Sequence, residues 1–412
     1  MDKKGDMGMR RMGWKGFLFL LPALALIAVF SLWPVLQSLT YTFFDYRLNN
    51  QQKSGLYLSE RFNADLFNET AFYVGMFLEE DLPSMTDGAD VEEAKRLLAD
   101  LQRISGQYSE EKGVIRISKE QKEEIEQFYK AAKPKLEEWN RKYALKNGEN
   151  LPLLLDDIKD SVIPSNFVGL DNYKKAFTDP RVGTAVWNTV LFTAVSVFFE
   201  FLFGLALALI MNKAFIGQGP VRTVSLIPWA IPTAVAALMW GYLYDGSFGV
   251  VAKIFEQVGL IQSSTDLLQS PGWAMAATII ADVWKTTPYM ALLLLAGLQN
   301  ISPSLYEAAS IDGANKWQSF VRVTLPLLKP SILVALLFRT LDAFRVFDLI
   351  YVLTGGGPGG STETLSVYAY KAMFGQTNFG YGSVVVMIMF ACVAAIAVIF
   401  VKILGTNLME KN

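Results

Sequence analysis

The chain has 412 residues, of which 52% are apolar, and its formal net charge is only −2. It contains no histidine and a single cysteine, Cys392, so imidazole or multi-cysteine metal sites, Ser-His triads and internal disulfide bonds are excluded. The phosphate-binding pattern G-x-x-x-x-G-K-[ST] is absent, so any ATP that drives this protein must bind another chain. We therefore expect no catalytic residues, and no metal or cofactor bound by the chain itself.

The apolar residues are concentrated in six stretches, each long enough for a helix that crosses about 30 Å of hydrocarbon. These stretches lie at 17–40, 186–211, 223–244, 272–298, 330–353 and 380–403. The expected fold class is therefore all-α, a polytopic membrane protein with six transmembrane helices. The first stretch follows a basic start but lacks a small-residue cleavage site, so we expect an uncleaved anchor rather than a secretory signal.

Basic residues indicate the orientation of these helices, because cytoplasmic loops carry an excess of lysine and arginine. They precede the first stretch, recur in alternate loops and follow the last one, so both termini are expected to be cytoplasmic. The expected organisation is a cytoplasmic tail at 1–16, a first transmembrane helix at 17–44, an extracytoplasmic insertion domain at 45–165, a core of five helices at 166–404 and a cytoplasmic tail at 405–412. The core includes a cytoplasmic loop at 299–326.

Residues 45–165 carry more than half of the charged side chains and are predicted to form a folded, mainly helical domain. Asp90 with Glu93 and Ser118 with Gln121 have the spacing of capping boxes at helix starts. Apolar residues then recur at intervals of three and four, although Pro134 is expected to kink or break the second helix. The pattern favours a self-contained core with a charged face over a coiled-coil arm.

The loop between the fourth and fifth apolar stretches has the pattern of two short helices joined at a glycine. Ser302 is a suitable N-cap, and Pro303 suits the first helical position, where the N–H that proline lacks would be unpaired anyway. The first helix is expected to end at Gly313, Asn315 to cap a second one, and Pro326 to stop that helix before the fifth span. The loop is thus predicted to project as a compact hairpin.

This loop resembles the coupling loop of permeases in binding-protein-dependent ABC importers. The shared pattern is E-A-A, three residues, Gly, nine residues, an aliphatic residue, any residue, Leu and Pro. The matching positions here are Glu307, Ala308, Ala309, Gly313, Val323, Leu325 and Pro326. The segments at 225–232, 306–314 and 347–358 are similar to the maltose/maltodextrin-type sugar permeases, and the resemblance covers residues 166–404 and the first span.

The resemblance implies a permease subunit that imports maltose, maltodextrin or a related oligosaccharide by alternating access, as a multi-pass protein of a bacterial or archaeal cell (inner) membrane. Its implied partners are a second homologous permease, a dimer of ATPase subunits that carries the ATP and Mg, an extracellular or periplasmic sugar-binding protein and membrane lipid, but no nucleic acid. The residues implied to couple to the ATPase are Glu307, Ala308, Ala309, Asp312, Gly313, Leu325 and Pro326.

Ionisable residues in the fourth and fifth apolar stretches indicate a solute site, because charges within a membrane are costly. Their spacing lets Arg339 pair with Asp342 and Arg345 with Asp348, and such pairs either line a path or only hold the helices together. The resemblance places sugar contacts on these stretches, where an aromatic ring stacks on the sugar and charged groups bond its hydroxyls. The candidate substrate-binding residues are Asp282, Trp284, Lys285, Thr286, Tyr289, Arg339, Asp342, Ala343, Arg345 and Val346.

Two other functions remain open from the sequence. One is an ABC importer permease for a solute that is not a sugar. The other, from a different class, is a secondary transporter or channel that works without ATP. The second alternative predicts inverted internal repeats, and no clear repeat is present.

Overall fold

The computed structural model describes residues 18–213 and 216–409, with side chains as far as residue 403. The predicted N-terminal tail at 1–16 lies outside the described residues. The described chain divides into two compact units. We call residues 18–42, 171–376 and 381–409 the membrane unit, and residues 43–170 with 377–380 the insertion unit.

Most of the described chain is helical. In chain order, the helices are α1 (Leu18–Tyr41), α2 (Ala64–Asp81), α3 (Gly88–Gly106), α4 (Lys119–Lys142), α5 (Asn150–Asp160), α6 (Asp171–Thr178), α7 (Pro180–Asn212), α8 (Gln218–Ala230), α9 (Thr233–Leu243), α10 (Val250–Gln257), α11 (Asp266–Gln269), α12 (Pro271–Gln299), α13 (Pro303–Ile311), α14 (Lys316–Phe344), α15 (Asp348–Leu353), α16 (Leu365–Tyr370) and α17 (Phe379–Met409). The strands are β1 (Arg61–Asn63), β2 (Val114–Arg116) and β3 (Val162–Ile163).

Within the described residues, five helices are long and apolar enough to cross a membrane, namely α1, α7, α12, α14 and α17. The third predicted span is instead a bent pair, because α8 and α9 meet at 89°. Pro232 stands at this bend, and a proline inside a helix removes one backbone hydrogen bond and clashes with the preceding turn. The count is therefore five spans, or six if α8 and α9 together cross the membrane.

The prediction for the fifth span was wrong at both ends. Its helix, α14, begins at Lys316 inside the predicted loop and runs through Pro326 without stopping. A wider π-helical turn at Phe320–Thr324 comes just before this proline and accommodates its missing N–H. The helix ends at Phe344, and residues 348–353 form the separate helix α15. Neither glycine nor proline marks that end, so hydropathy alone could not locate it.

The core of the membrane unit lies where α7, α12 and α14 pack together. At Gly204, on α7, an added Cβ would lie 2.7 Å from Cγ of Met290 and 3.2 Å from the backbone nitrogen of Ala291. The backbones of α7 and α12 therefore approach closely at this point. Lipid tails are as apolar as the side chains, so close packing at small residues stabilises such a pair more than the hydrophobic effect does.

The insertion unit has its own hydrophobic core. Its strands form an antiparallel sheet in the order β2-β1-β3, and α2 to α5 pack around a set of buried apolar side chains that includes Phe62, Leu136, Trp139 and Leu155. The apolar stripes of α3 and α4 face this core, while their charged residues face solvent. The structure thus shows a packed domain and not a coiled-coil arm.

Local predictions for this unit had mixed outcomes. The capping box of Ser118 and Gln121 at the start of α4 is confirmed. The box at Asp90 was wrong, because the cap of α3 is Asp87, three residues earlier, and the helix begins at Gly88. Pro134 does not break α4: it is solvent-exposed, so water can reach the backbone carbonyl that loses its helical partner.

Candidate functional site

The predicted hairpin is present at the start of α14. Helix α13 ends at Ile311, and Gly313 adopts a φ of +83°, a conformation that suits glycine because it has no Cβ. Asn315 and Gln318 form a reciprocal capping box that starts α14. Tyr306 and Thr324 join the two arms, with their hydroxyl oxygens 3.1 Å apart. Ser302 stands at the predicted N-cap, but its side chain makes no capping bond to α13.

The hairpin leaves apolar groups in solvent. Ile311 and Trp317 are 87% and 70% exposed, so two large apolar side chains of the hairpin are left uncovered by this chain. Glu307 is exposed on α13 and makes no ion pair with any residue in the described ranges. Of the other predicted coupling residues, Ala308, Asp312, Gly313 and Pro326 are exposed, and Ala309 and Leu325 are half-buried. The surface thus has the mixture of apolar groups and one carboxylate that suits a protein interface.

A buried ionic cluster joins three membrane helices at Arg339 of α14. Its guanidinium binds both carboxylate oxygens of Glu200 on α7, with Nε to Oε2 at 2.6 Å and Nη2 to Oε1 at 2.7 Å. It also donates to Oδ2 of Asp282 on α12 at 3.2 Å and to Oδ2 of Asp342 at 2.6 Å. The side chain of Arg339 is 1% exposed and that of Glu200 is fully buried. The bidentate geometry offsets part of the cost of burying these charges.

Sequence reasoning missed Glu200, the main partner of Arg339. The signal was present, because a carboxylate within an apolar span is costly unless it is paired or used. The predicted pair of Arg339 and Asp342 is confirmed. The predicted pair of Arg345 and Asp348 was wrong, since Arg345 lies nearest to Asp342, at 3.9 Å. Helix α14 ends at Phe344, before Arg345, and Asp348 begins the separate helix α15, so helical spacing does not bring Arg345 and Asp348 together.

A polar cavity of about 180 Å³ lies beside this cluster. Eight of the ten predicted substrate residues line it, namely Asp282, Lys285, Thr286, Arg339, Asp342, Ala343, Arg345 and Val346. The charged side chains in its lining are balanced, with three carboxylates against one lysine and two arginines. The cavity therefore offers many hydrogen-bonding groups without a strong net charge.

The structure places the two aromatic candidates outside this lining. Trp284 faces an apolar groove and meets Trp240 edge to face, with ring centroids 5.5 Å apart. Tyr289 stacks on Trp229, with centroids 5.5 Å apart and planes 15° from parallel. Lys285 reaches the cavity, but its ammonium group also donates to the backbone carbonyl of Ile231 at 2.8 Å.

The glycine-rich loop after α15 is held by a buried carboxylate that the sequence analysis did not identify. Glu363 is 1% exposed and accepts two hydrogen bonds from Arg181 and one from Lys371. Burial acts to raise the pKa of Glu363, but these hydrogen bonds outweigh it and hold the pKa below its usual value. Asn188 binds the loop backbone at the carbonyls of Gly360 and Glu363. The loop is therefore fixed to α7.

The sequence also matches a family model, and the match covers the residues that form this geometry. The model for the binding-protein-dependent transport system inner membrane component matches residues 200–409, which hold the ionic cluster, the cavity and the hairpin. The chain belongs to this family. It is therefore a multi-pass inner-membrane permease subunit and not an enzyme, as predicted, and a separate ATPase subunit hydrolyses the ATP. Permeases of this family also work with a second permease and a substrate-binding protein.

This chain aligns with most of the length of several curated relatives. The trehalose/maltose transport system permease protein MalF of Thermococcus litoralis is 46% identical over 237 residues, which are 58% of this chain and 79% of the relative. The trehalose transport system permease protein SugA of Mycobacterium tuberculosis is 47% identical over 239 residues, which are 58% and 75%. The sulfoquinovosyl glycerol transport system permease protein SmoG of Agrobacterium fabrum is 43% identical over 247 residues, which are 60% and 80%.

Solved structures show the same fold. A bacterial alginate ABC transporter, in complex with an alginate pentasaccharide-bound periplasmic protein, contains a chain that is 26% identical, with a TM-score of 0.52 over 57% of this chain and 82% of that one. A second structure, of a bacterial ABC transporter involved in the import of alginate, gives 25% identity and a TM-score of 0.53 over 58% and 84%. The membrane unit thus has the fold of ABC importer permeases.

Proposed function

We propose that this chain is the permease subunit of an ATP-driven importer of small neutral glycosides, with trehalose or maltose as the cargo. The lining of the polar cavity carries this proposal. Its carboxylates accept hydrogen bonds and its guanidinium groups donate them, so together they suit a solute with many hydroxyl groups. Relatives that are 46% and 47% identical are named for trehalose and maltose transport, which supports the same cargo.

The cavity within this chain would supply only part of the binding site. Its volume of about 180 Å³ is below the roughly 300–1,000 Å³ that is usual for small-molecule sites. We propose that the second permease closes the site from the other side, so that a disaccharide binds between the two subunits. Trp284 and Tyr289 do not line the cavity in this chain. They would then affect the cargo indirectly, by supporting the residues that form the cavity wall.

The proposed topology follows the basic residues in the loops. Both termini and the hairpin of α13 and α14 would face the cytoplasm, the third span would cross the membrane as the bent pair α8 and α9, and the insertion unit would face outward. In this arrangement, closure of the ATPase would move α14 through the hairpin. Because Arg339 on α14 binds Glu200 and Asp282, that movement would act directly on the cavity wall.

A cargo test needs the whole complex. The chain would be purified with its ATPase, second permease and binding protein, and reconstituted in liposomes. We expect ATP hydrolysis to be stimulated by binding protein loaded with trehalose or maltose and not by an amino acid. Stimulation by a sulfonated or uronic-acid sugar alone would favour an acidic cargo, which the charge balance of the cavity argues against. Uptake by the isolated chain without ATP would contradict the proposal.

The coupling assignment has its own test. Glu307→Lys reverses the exposed charge of the hairpin, and we expect the ATPase to be lost on purification while the membrane helices still insert. Glu111→Lys is a matched control, because Glu111 is an exposed carboxylate of the insertion unit. Normal co-purification of the ATPase with Glu307→Lys would count against the assignment.

A further inference from the structure

The bend between α8 and α9 interrupts the backbone hydrogen bonds of a membrane helix. In a continuous helix the carbonyl of Trp229 would accept from the N–H of Thr233 and that of Ile231 from the N–H of Val235, but α8 ends at Ala230 and α9 begins only at Thr233. A backbone carbonyl inside a membrane needs a partner, because no bulk water is present to supply one. The bend therefore depends on donors from another helix.

Lys285 of α12 is that donor. Its Nζ donates to the carbonyl of Ile231 at 2.8 Å and to that of Trp229 at 3.3 Å, so one ammonium group serves both sides of the break. The residue is 6% exposed, so these bonds form away from solvent. One turn later on α12, Tyr289 stacks on the ring of Trp229. Helix α12 thus holds the bend at two points that are four residues apart.

The bend is also part of the cavity wall. Thr233, the first residue of α9, lines the polar cavity together with Lys285 and Asp282. Asp282 in turn binds Arg339, so a single face of α12 contacts both the bend and the ionic cluster. A change in the angle of the bend would therefore move the cavity wall, and it would have to break or stretch the bonds to Lys285.

We infer that Lys285 is a positioning residue for transport: it fixes the angle of the bend between α8 and α9 and does not bind the cargo. The inference rests on the proposed function in two ways, because the proposed topology puts the bend inside the membrane and sugar transport is one of the readouts. A cargo ligand and a positioning residue differ in their kinetics. Removal of a ligand weakens apparent affinity for the sugar, whereas removal of a residue that holds the moving element lowers the rate at saturating sugar.

The test uses the reconstituted complex with Lys285→Met, Lys285→Arg and the control Lys253→Met, since Lys253 is an exposed lysine of α10. We expect Lys285→Met to lower the maximal rate of sugar uptake per assembled complex by about tenfold or more, with the KM for sugar-loaded binding protein changed by less than about twofold. Lys285→Arg keeps a charged donor and should restore much of the rate. Lys253→Met should behave as the unmodified protein.

A distance measurement tests the bend directly. Spin labels at Val224 and Leu238, which are 62% and 64% exposed on the two sides of the break, would be placed in a Cys392→Ser background. Lys285→Met should broaden or shift the distance distribution, and Lys285→Arg should narrow it again. Tyr289→Leu removes only the ring stack, so it should change the distance distribution in the same direction but by less. This variant tests the bend if Lys285→Met fails to assemble.

Two results would overturn the inference. One is a raised KM with an unchanged maximal rate in Lys285→Met, which would make Lys285 a cargo ligand. The other is an unchanged distance distribution in both Lys285→Met and Tyr289→Leu. A failure of the proposed function is distinguishable from either, because the unmodified complex would then show no sugar-stimulated hydrolysis, while the distance measurement would still report on the bend.

Discussion

The membrane unit and the insertion unit both contain ion pairs but place them in different surroundings. In the membrane unit, Arg339 is 1% exposed and its partner Glu200 is fully buried. In the insertion unit, Lys142 and Asp90 pair at 2.6 Å while their side chains remain 45% and 17% exposed. Removing one member of a buried pair leaves an uncompensated charge, whereas an exposed pair is usually worth about 0–1 kcal/mol. Similar substitutions should therefore have different effects in the two units.

Their packing differs in the same way. The insertion unit buries large side chains such as Phe62 and Trp139, and removal of their surface from water stabilises its fold. The membrane unit brings α7 and α12 together at Gly204, where a side chain would not fit without rearrangement. Burial against water stabilises one unit, and close helix contact within lipid stabilises the other. Substitutions that alter charge, volume and capping test this difference.

The largest expected effect is that of Arg339→Met. It leaves Glu200 buried without its guanidinium partner, and we expect a loss of about 3–5 kcal/mol of stability. Thermal unfolding of the purified complex in mild detergent measures it. Arg345→Met is the matched control, since that side chain is 63% exposed, and it should change stability by less than about 0.5 kcal/mol. Equal stability of the two variants would show that Arg339 is not a structural centre of the membrane unit.

Gly204→Ala tests the close contact of α7 and α12. The new Cβ would lie 2.7 Å from Met290, and overpacking of this kind costs about 1–3 kcal/mol. Gly183→Ala on the same helix is the control: among the described residues, no atom outside its own stretch of helix backbone lies within 4 Å of its added Cβ, so the alanine should be neutral or stabilising by up to about 1 kcal/mol. Thermal unfolding of both variants measures the difference. If Gly204→Ala is as stable as Gly183→Ala, the helices do not depend on the contact.

Local sequence signals predicted much of this molecule. Gly313 ends the first arm of the hairpin, and Asn315 and Ser118 cap their helices, because each of these features depends on residues a few positions away. The hydropathy pattern also located four of the apolar spans, namely α1, α7, α12 and α17, since the length that crosses the membrane is fixed by its thickness. Eight of the candidate substrate residues share one cavity because six of them occur on α12 and α14, which pack together, and Arg345 and Val346 follow directly after the end of α14.

Features that depend on distant residues were not predicted. The pairing of Glu200 with Arg339 joins positions 139 residues apart, and the bond from Lys285 to the bend joins positions 54 residues apart. Helical spacing cannot reveal such pairs. It also paired Arg345 with Asp348 on one assumed helix, whereas α14 ends before Arg345 and Asp348 begins α15. The burial of Glu363 is similar, because its partners Arg181 and Lys371 belong to different segments.

Ser118→Ala should have a smaller effect, confined to the insertion unit. It removes the side chain that accepts from the backbone N–H of Gln121, and loss of an N-cap costs about 1 kcal/mol. Hydrogen exchange of the full chain, followed by mass spectrometry, should show faster exchange in the first turn of α4. Ser118→Asp keeps an N-cap acceptor and should exchange as the unmodified chain does. Equally fast exchange in both variants would contradict the capping role.

The smallest effect concerns the exposed pair and depends on pH. Hydrogen bonds from Lys142, and then from Tyr143, lower the pKa of Asp90 to about 2. A carboxylate whose pKa is lower in the folded state contributes stability that is present above its unfolded pKa, near 4, and is lost as the pH falls through about 2.

Hydrogen exchange at α3 and α4 should therefore be faster in Asp90→Asn than in the unmodified chain at pH 6. The two chains are compared at each pH, and the difference between them should shrink between pH 4 and pH 2. Glu111→Gln, which removes an exposed carboxylate elsewhere in the unit, should show no such trend. A difference that persists unchanged at pH 2 would mean that Asp90 acts through its shape and not through its charge.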